Sequence, residues 1–262
     1  MPTALADMVP SSTAQHLAGK TALISGAALG FGQAMTRAFV AAGANVCVID
    51  LNREAGVALA KELGKQVVFL EGNVVVEETW TKALALCIER FGSLQILVNN
   101  AGISRKSDAH ELPESDYDLL FDIHLKANYF ATKVIFPHFL EHGDGRVLNI
   151  ASTGATRPRP GFAWYNATKG ALVTLTKSLA VEYAPKIRVN AVVPAIGNTS
   201  MLTASFNGRQ PTEEELNWVY SWIPMKRLCE PTDIAQAALF LCSNRASFVT
   251  GTCLDVDGGR GI

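Results

Sequence analysis

Short β-branched runs alternate with helix-length amphipathic stretches along most of this chain. The runs that read as strands are KTALIS (20–25), NVCVID (45–50), QVVFLE (66–71), LQILVN (94–99), RVLNIA (146–151), IRVNAVV (187–193) and TCLDVD (252–257). Between the first six lie helix-length segments at about 31–43, 53–63, 77–91, 115–142 and 162–184, and a further one spans about 231–243. Strict alternation of strand and helix implies right-handed crossovers and a parallel sheet covered on both faces. The predicted fold is therefore α/β, a doubly wound, Rossmann-like, seven-stranded parallel sheet in one domain over 18–262. The segment 197–226 breaks the rhythm: it is long for a connection and carries Phe206, Trp218, Tyr220 and Trp222. Long insertions after a strand's carboxyl end are often lids or binding loops, so it is read as a substrate lid, with an oligomer contact or satellite core as the alternative.

Composition agrees with a globular domain: 262 residues, 48% hydrophobic and 18% charged. A net charge of −1 offers no electrostatic footprint for nucleic acid or an anionic membrane. No apolar run reaches the roughly 18 residues of a membrane span. Residues 1–17 lack a basic region followed by a long apolar stretch and read as a loose tail, so a cytoplasmic location is expected. Cys47, Cys87, Cys229, Cys242 and Cys253 form no CxxC pair and sit mostly in apolar segments, as buried free thiols would. His138 and His142 share a helical spacing but lack a third ligand, and no metal site is expected.

The first strand runs straight into Ser25-Gly26-Ala27-Ala28-Leu29-Gly30-Phe31-Gly32 and then a helix. Gly26, Gly30 and Gly32 allow a tight turn and close backbone approach, and the helix N-terminus offers unpaired N–H groups to a pyrophosphate. Asp50 ends the second strand, eighteen residues after Gly32. A carboxylate there accepts bonds from a ribose 2′-OH and repels a 2′-phosphate. No Lys or Arg lies in the glycine turn and Leu51 follows Asp50, so NAD(H) is favoured, with NADP(H) possible. Arg53 is the nearest cation that would weaken the preference.

Candidate chemistry comes from WYNATKGAL. Tyr165 and Lys169 stand four residues apart, one turn on one helix face, and Ser152 lies thirteen residues before the tyrosine. A free tyrosine titrates near about 10 and a free lysine near about 10.4. An ammonium close to a phenol favours the phenolate, which would make Tyr165 a proton donor and acceptor near neutral pH. Ser152, after its apolar strand, could present its hydroxyl to the same substrate oxygen.

With these pieces the chain resembles the short-chain dehydrogenase/reductase family in its single-domain form. The resemblance runs from Gly19 to Gly259 and rests on SGAALGFG, Asp50, NNAG (99–102), Ser152, YNATK (165–169), VNAVVP (189–194) and VTGTCLDVDGG (249–259). It implies that Ser152 polarises the substrate oxygen, Tyr165 is the general acid or base, and Lys169 tunes the tyrosine and binds the nicotinamide ribose. It also implies that Leu29, Phe31, Leu51, Asn73, Val74, Asn100, Ala101 and Gly102 line the dinucleotide site, with Pro194, Gly197 and Thr199 at the carboxamide. Asn99 to Gly102 would also stabilise the central sheet. A homotetramer or homodimer built partly on the two long helices is implied as well.

Four positions depart from the family pattern. His124 stands where the family usually has Asn, and reads either as a member of a proton relay or as a packing replacement. Asn73 replaces an Asp beside the adenine, Ala195 replaces a Gly after Pro194, and Ser25 opens the turn in place of Thr. The expected substrate pocket comprises Ile103, Ser104, Thr153, Gly154, Phe162, Trp164, Met201, Phe206, Trp218 and Trp222, a mostly aromatic and apolar set that suits a cyclic or hydrophobic substrate. Arg157 and Arg159 read as solvated loop charges, with recognition of an acid group as the alternative. The expected activity is reversible hydride transfer between a nicotinamide dinucleotide and a secondary alcohol or ketone. Its rivals are a redox-neutral isomerase, dehydratase or cyclase and a non-catalytic dinucleotide-binding protein.

Overall fold

The computed structural model describes residues 15–206 and 208–262. Seven strands form one parallel sheet: β1 (Thr21–Ser25), β2 (Asn45–Asp50), β3 (Val67–Glu71), β4 (Ile96–Asn99), β5 (Gly145–Ile150), β6 (Ile187–Pro194) and β7 (Cys253–Val256). Their order across the sheet is β3-β2-β1-β4-β5-β6-β7. The helices are α1 (Gly30–Ala41), α2 (Arg53–Leu63), α3 (Glu77–Phe91), α4 (Glu114–Phe121), α5 (Ala127–His142), α6 (Ala163–Tyr183), α7 (Ser200–Ala204), α8 (Glu213–Ser221) and α9 (Pro231–Cys242). None of the helices among the described residues is long and apolar enough to cross a membrane.

The period-two alternation of strand side chains sorts the core into two layers. Ala22, Ile24, Val46, Val48, Ile96 and Val98 face α1, α2 and α9, packing on Met35, Phe39, Leu59 and Ile234. Leu23, Cys47, Ile49, Leu97, Val147 and Val189 face the other way, onto Trp80, Cys87, Ile135, Phe136 and Leu179. Full burial of each large side chain contributes roughly 1.5–3 kcal/mol. β1 sits between β2 and β4, so the chain's winding reverses there and leaves a crevice outside the strands' carboxyl ends.

Of the expected tail over 1–17, residues 1–14 lie outside the described residues; Leu17 is buried, with its N–H donating to the Ala42 carbonyl at 2.9 Å. The segment 197–226 folds into α7 and α8, which build a satellite cluster of Leu202, Val219, Ile223 and Leu228 with Phe206, Leu216 and Tyr220 packed on it.

The helix expected over 115–142 is interrupted. A π-helical turn, Asp122–Lys126, separates α4 from α5. At its centre the buried His124 ring lies between two other elements: its Nδ1 is 2.8 Å from the Thr168 hydroxyl, and its Nε2 accepts from the Ile103 N–H at 3.1 Å. Thr168 spends its only hydroxyl proton on the Tyr165 carbonyl, 2.8 Å away, so it must accept from Nδ1–H. The ring is thereby fixed as one neutral tautomer. Burial, and then the Lys169 charge, push its pKa well below the ordinary value of 6.5.

A histidine held neutral in the fold but free to charge when unfolded stabilises the protein fully above about pH 6.5, and that contribution fades as pH falls below it. The unfolding midpoint in urea should therefore drop between about pH 7.5 and 5.5, and His124→Asn, which cannot titrate, should drop less. An equal drop in both proteins would assign the acid sensitivity to other groups.

Candidate active site

A cavity of about 380 Å³ opens at the carboxyl ends of the central strands. Its floor at one end is the glycine turn. Gly26 and Gly30 have φ of 61° and 58°, the left-handed region where a side chain is strained. A Cβ on Gly26 would lie 2.7 Å from the Ala101 Cα, and one on Gly32 would lie 2.4 Å from the Gly26 carbonyl oxygen. Ser25 and Asn100 hold this approach together: the Ser25 hydroxyl accepts from the Asn100 and Ala101 N–H groups at 3.1 Å, and the Asn100 side-chain amide donates to the Ser25 and Gly26 carbonyls at 2.9 and 2.7 Å. α1 begins here, and its N-cap residue Leu29 provides no side-chain hydrogen bond. The helix's first N–H groups are thus available to an anionic group in a cavity lined by Gly26, Leu29, Gly30 and Phe31. Gly32 underpins the turn without lining the cavity.

Asp50 lines the same cavity beside Leu51, Gly72, Asn73 and Val74. Its carboxylate accepts from the Ala28 N–H and the Asn52 N–H, each at 2.9 Å, so it is fixed at the rim. Arg53 is exposed and reaches Glu71 at 3.5 Å rather than the cavity. The Asn73 side-chain oxygen accepts from the Val75 N–H at 3.2 Å. The uncapped helix, the glycine turn and a carboxylate at the end of the second strand fit an adenine dinucleotide.

Ser152, Tyr165 and Lys169 converge on the other half of the cavity. Ser152 follows β5 and caps a short 3₁₀ turn, its hydroxyl accepting from the Gly154 N–H at 3.1 Å. Tyr165 and Lys169 lie on α6, with the ammonium 5.9 Å from the ring centroid. Lys169 is buried, donates to the Ile150 carbonyl at 2.7 Å, and is pushed down to about 8 by burial. The expected lowering of the tyrosine by the lysine needs correction. Burial dominates at Tyr165 and raises its pKa, while Ser152 and then the Arg159 guanidinium pull the other way. A dry pocket penalises the phenolate more than its neighbours favour it.

His124 does not line the cavity. Both ring nitrogens are engaged, and its carbonyl accepts from the Asn128 side chain at 2.8 Å, so the geometry is that of a brace between α6 and the Ile103 loop rather than of a proton carrier.

Pro194, Ala195, Gly197 and Thr199 border the cavity beyond β6. A Cβ on Gly197 would strike the Phe31 ring at 2.3 Å, and the Thr199 methyl would be 3.4 Å from a Cβ on Gly30, so this edge rests on the glycine turn. Of the expected substrate residues, Ile103, Ser104, Thr153, Gly154, Met201 and Trp222 line the cavity. Four do not. Phe162 is buried beneath the Arg159 guanidinium, and Trp164 is bound outside, with its indole N–H on the Ala109 carbonyl at 2.9 Å. Phe206 belongs to the satellite cluster, and Trp218 is 59% exposed against Trp222.

The aromatic pocket expected from those residues is replaced by a more cationic one: Arg157, Arg159 and Arg260 all line the cavity. Arg260 is a lining residue that its own stretch of sequence does not single out. It directly follows Gly258 and Gly259, whose φ values of 63° and 86° turn the chain back against Ile223 and Pro224. Ile123, Asn166, Ser205 and Ile223 are further lining residues without a sequence signal.

Comparison with known proteins accords with this geometry. The family model described as enoyl-(acyl carrier protein) reductase matches residues 26–260. The chain is 40% identical to a 4-formylbenzenesulfonate dehydrogenase of Comamonas testosteroni, over 94% of this chain and 100% of the relative. It is 35% identical to a 2,5-dichloro-2,5-cyclohexadiene-1,4-diol dehydrogenase of Sphingobium indicum, over 95% of this chain and 99% of that one. A 3-ketoacyl-(acyl-carrier-protein) reductase of Brucella melitensis, solved in complex with NADH, superposes with a TM-score of 0.87 at 41% identity, covering 94% of this chain and all of the other. Matches of this length and identity place the chain in the short-chain dehydrogenase/reductase family, the nicotinamide-dinucleotide oxidoreductases that act on CH–OH groups.

Proposed function

We propose that this protein interconverts a secondary alcohol and a ketone using NAD(H), on a substrate with a cyclic or hydrophobic frame. One observation carries the reading: Ser152, Tyr165 and Lys169 share a single cavity with the uncapped start of α1 and the Asp50 carboxylate. The bound nicotinamide supplies or accepts the hydride. Ser152 holds and polarises the substrate oxygen. Tyr165 gives that oxygen its proton in reduction and takes it in oxidation. Lys169 spends one N–H on Ile150 and offers the others to the nicotinamide ribose.

The preference for NAD(H) is supported by Asp50 at the rim and by Arg53 pairing with Glu71 instead of facing the cavity. The names of two relatives describe six-membered-ring compounds, which supports the cyclic frame. The segment 197–226 contributes Met201, Leu202, Ser205, Trp222 and Ile223 to the cavity, in keeping with a substrate loop that also has its own small core. Exposed apolar groups on the two long helices, Tyr129 and Val181, support assembly as a homodimer or homotetramer. The redox-neutral alternative drew on His124 and on the altered nicotinamide edge at Ala195; the hydrogen bonds of the His124 ring do not favour a titrating role for it.

Tyr165→Phe should lower kcat by about 100-fold or more, the scale of one general acid–base group, while NADH still binds. Stopped-flow turnover on a panel of cyclic ketones measures this, and unchanged turnover would remove Tyr165 from the mechanism. Parallel calorimetric titrations with NADH and NADPH should show tighter NADH binding. Asp50→Ala should erode that preference by about tenfold, or roughly 1.4 kcal/mol; tighter NADPH binding by the unaltered protein would contradict the Asp50 argument.

A further inference from the structure

Three guanidinium groups line one end of the cavity that holds Ser152 and Tyr165. Arg157 is taken up by the chain itself, donating to the backbone oxygen of Ile262. The other two are not. Arg159 lies 4.6 Å above the Phe162 ring, and Arg260 lies 5.7 Å from the Trp222 ring centroid. Each is thus backed by an aromatic face, with no carboxylate paired to either among the described residues. The Asp257 carboxylate, which attracts Arg260, is spent on the Gly259 and Gly261 N–H groups at 2.9 and 2.6 Å.

This arrangement is costly on its own. Burial and, less strongly, the nearby Arg260 work against the charge on Arg159, which Tyr165 favours; burial and then Arg157 work against that on Arg260, which Asp257 favours. A guanidinium stays charged throughout the physiological range, so the repulsion is not relieved by losing a proton. Like charges gathered in a partly dry cavity call for a counter-ion, and planar N–H forks match an oxyacid in two-point fashion. The lining of the same cavity includes Ile103, Met201, Leu202 and Ile223, which suit a flat apolar body.

We infer that Arg159 and Arg260 form an anion cradle, and that the substrate is a cyclic carbonyl or carbinol compound bearing a carboxylate or sulfonate away from the reacting carbon. This rests on the oxidoreductase reading above and names its substrate class. Arg159 and Arg260 are then specificity-determining residues, holding the anionic end while Ser152 and Tyr165 meet the reacting oxygen.

Benzoate and benzamide, one ring with and without the charge, are suitable probes, titrated calorimetrically into the protein with and without NADH. The unaltered protein should bind benzoate at least about tenfold tighter than benzamide, the scale of one charge-assisted hydrogen bond. Arg159→Gln and Arg260→Gln should each cut that ratio by about tenfold. Equal affinities, or no benzoate binding, overturn the cradle without any variant having to fold, as does a ratio that survives both substitutions. Turnover of cyclohexanone separates this from the reaction itself. Activity on cyclohexanone without benzoate preference sinks the cradle alone. Benzoate preference with no turnover of any carbonyl compound sinks the reaction and leaves the cradle standing.

Discussion

The structure depends on how closely two backbones approach where the sheet's winding reverses. The turn after β1 passes so near the end of β4 that a single Cβ on Gly26 would fall inside contact distance of the Ala101 Cα. Ser25 and Asn100 lock that approach with hydrogen bonds to backbone groups that would otherwise be buried without partners. Everything needed for chemistry is referenced to it. α1 starts at the turn, Asp50 is tied to it through the Ala28 N–H, and Gly197 packs against Phe31 within it. A shift there would move the dinucleotide end and the nicotinamide edge together.

The same economy holds deeper in the sheet. Asn99 and Asn149 sit in adjacent parallel strands and share a hydrogen bond of 2.9 Å, which continues from Asn149 to Thr176 on α6. Helix α6 is therefore fastened to the strands at Thr176, and to the Ile103 loop through His124 and Thr168. Tyr165 and Lys169 stand on a helix tethered from two sides. Placement to within a few tenths of an ångström is what a proton-transfer group requires, and packing alone rarely supplies it.

Much of this was legible in the chain. All seven strands fall within two residues of their expected positions, because a two-sided parallel sheet leaves continuous β-branched runs between amphipathic helices. The glycine turn, Asp50, Ser152, Tyr165 and Lys169, singled out by residue type and spacing, are brought by the fold to one cavity. The π-turn at 122–126 was not, since it arises from a tertiary demand on His124 and not from local propensity. The substrate end was misjudged for a related reason. Phe162, Trp164, Phe206 and Trp218 have the composition of a hydrophobic pocket, yet the tertiary structure turns them toward other partners. Arg260 arrives from more than ninety residues beyond Tyr165 through a tight glycine turn, a closure that no short window of sequence displays.

Around Tyr165 the charges of the cavity are of one sign, with the Asp50 carboxylate in its dinucleotide half. Lys169, Arg159 and Arg260 all surround Tyr165 or the space beyond it, and the nearby His124 is held neutral. An added imidazolium would face Lys169 across a dry interior, where the repulsion between like charges is far stronger than in water. Keeping the ring neutral leaves Lys169 charged below about pH 8. A cavity that is positive and partly desolvated before anything binds is suited to contents that bring negative charge. A pyrophosphate would do so at the glycine turn, and the proposed oxyacid would do so at the arginines. Filling both ends offsets the cost of the buried cations and shields the tyrosine's oxygen from water. On the proposed reading, the groups whose charge is costly in the cavity are the ones that would bind its contents, and Arg159, which favours the phenolate, would also hold the anionic substrate.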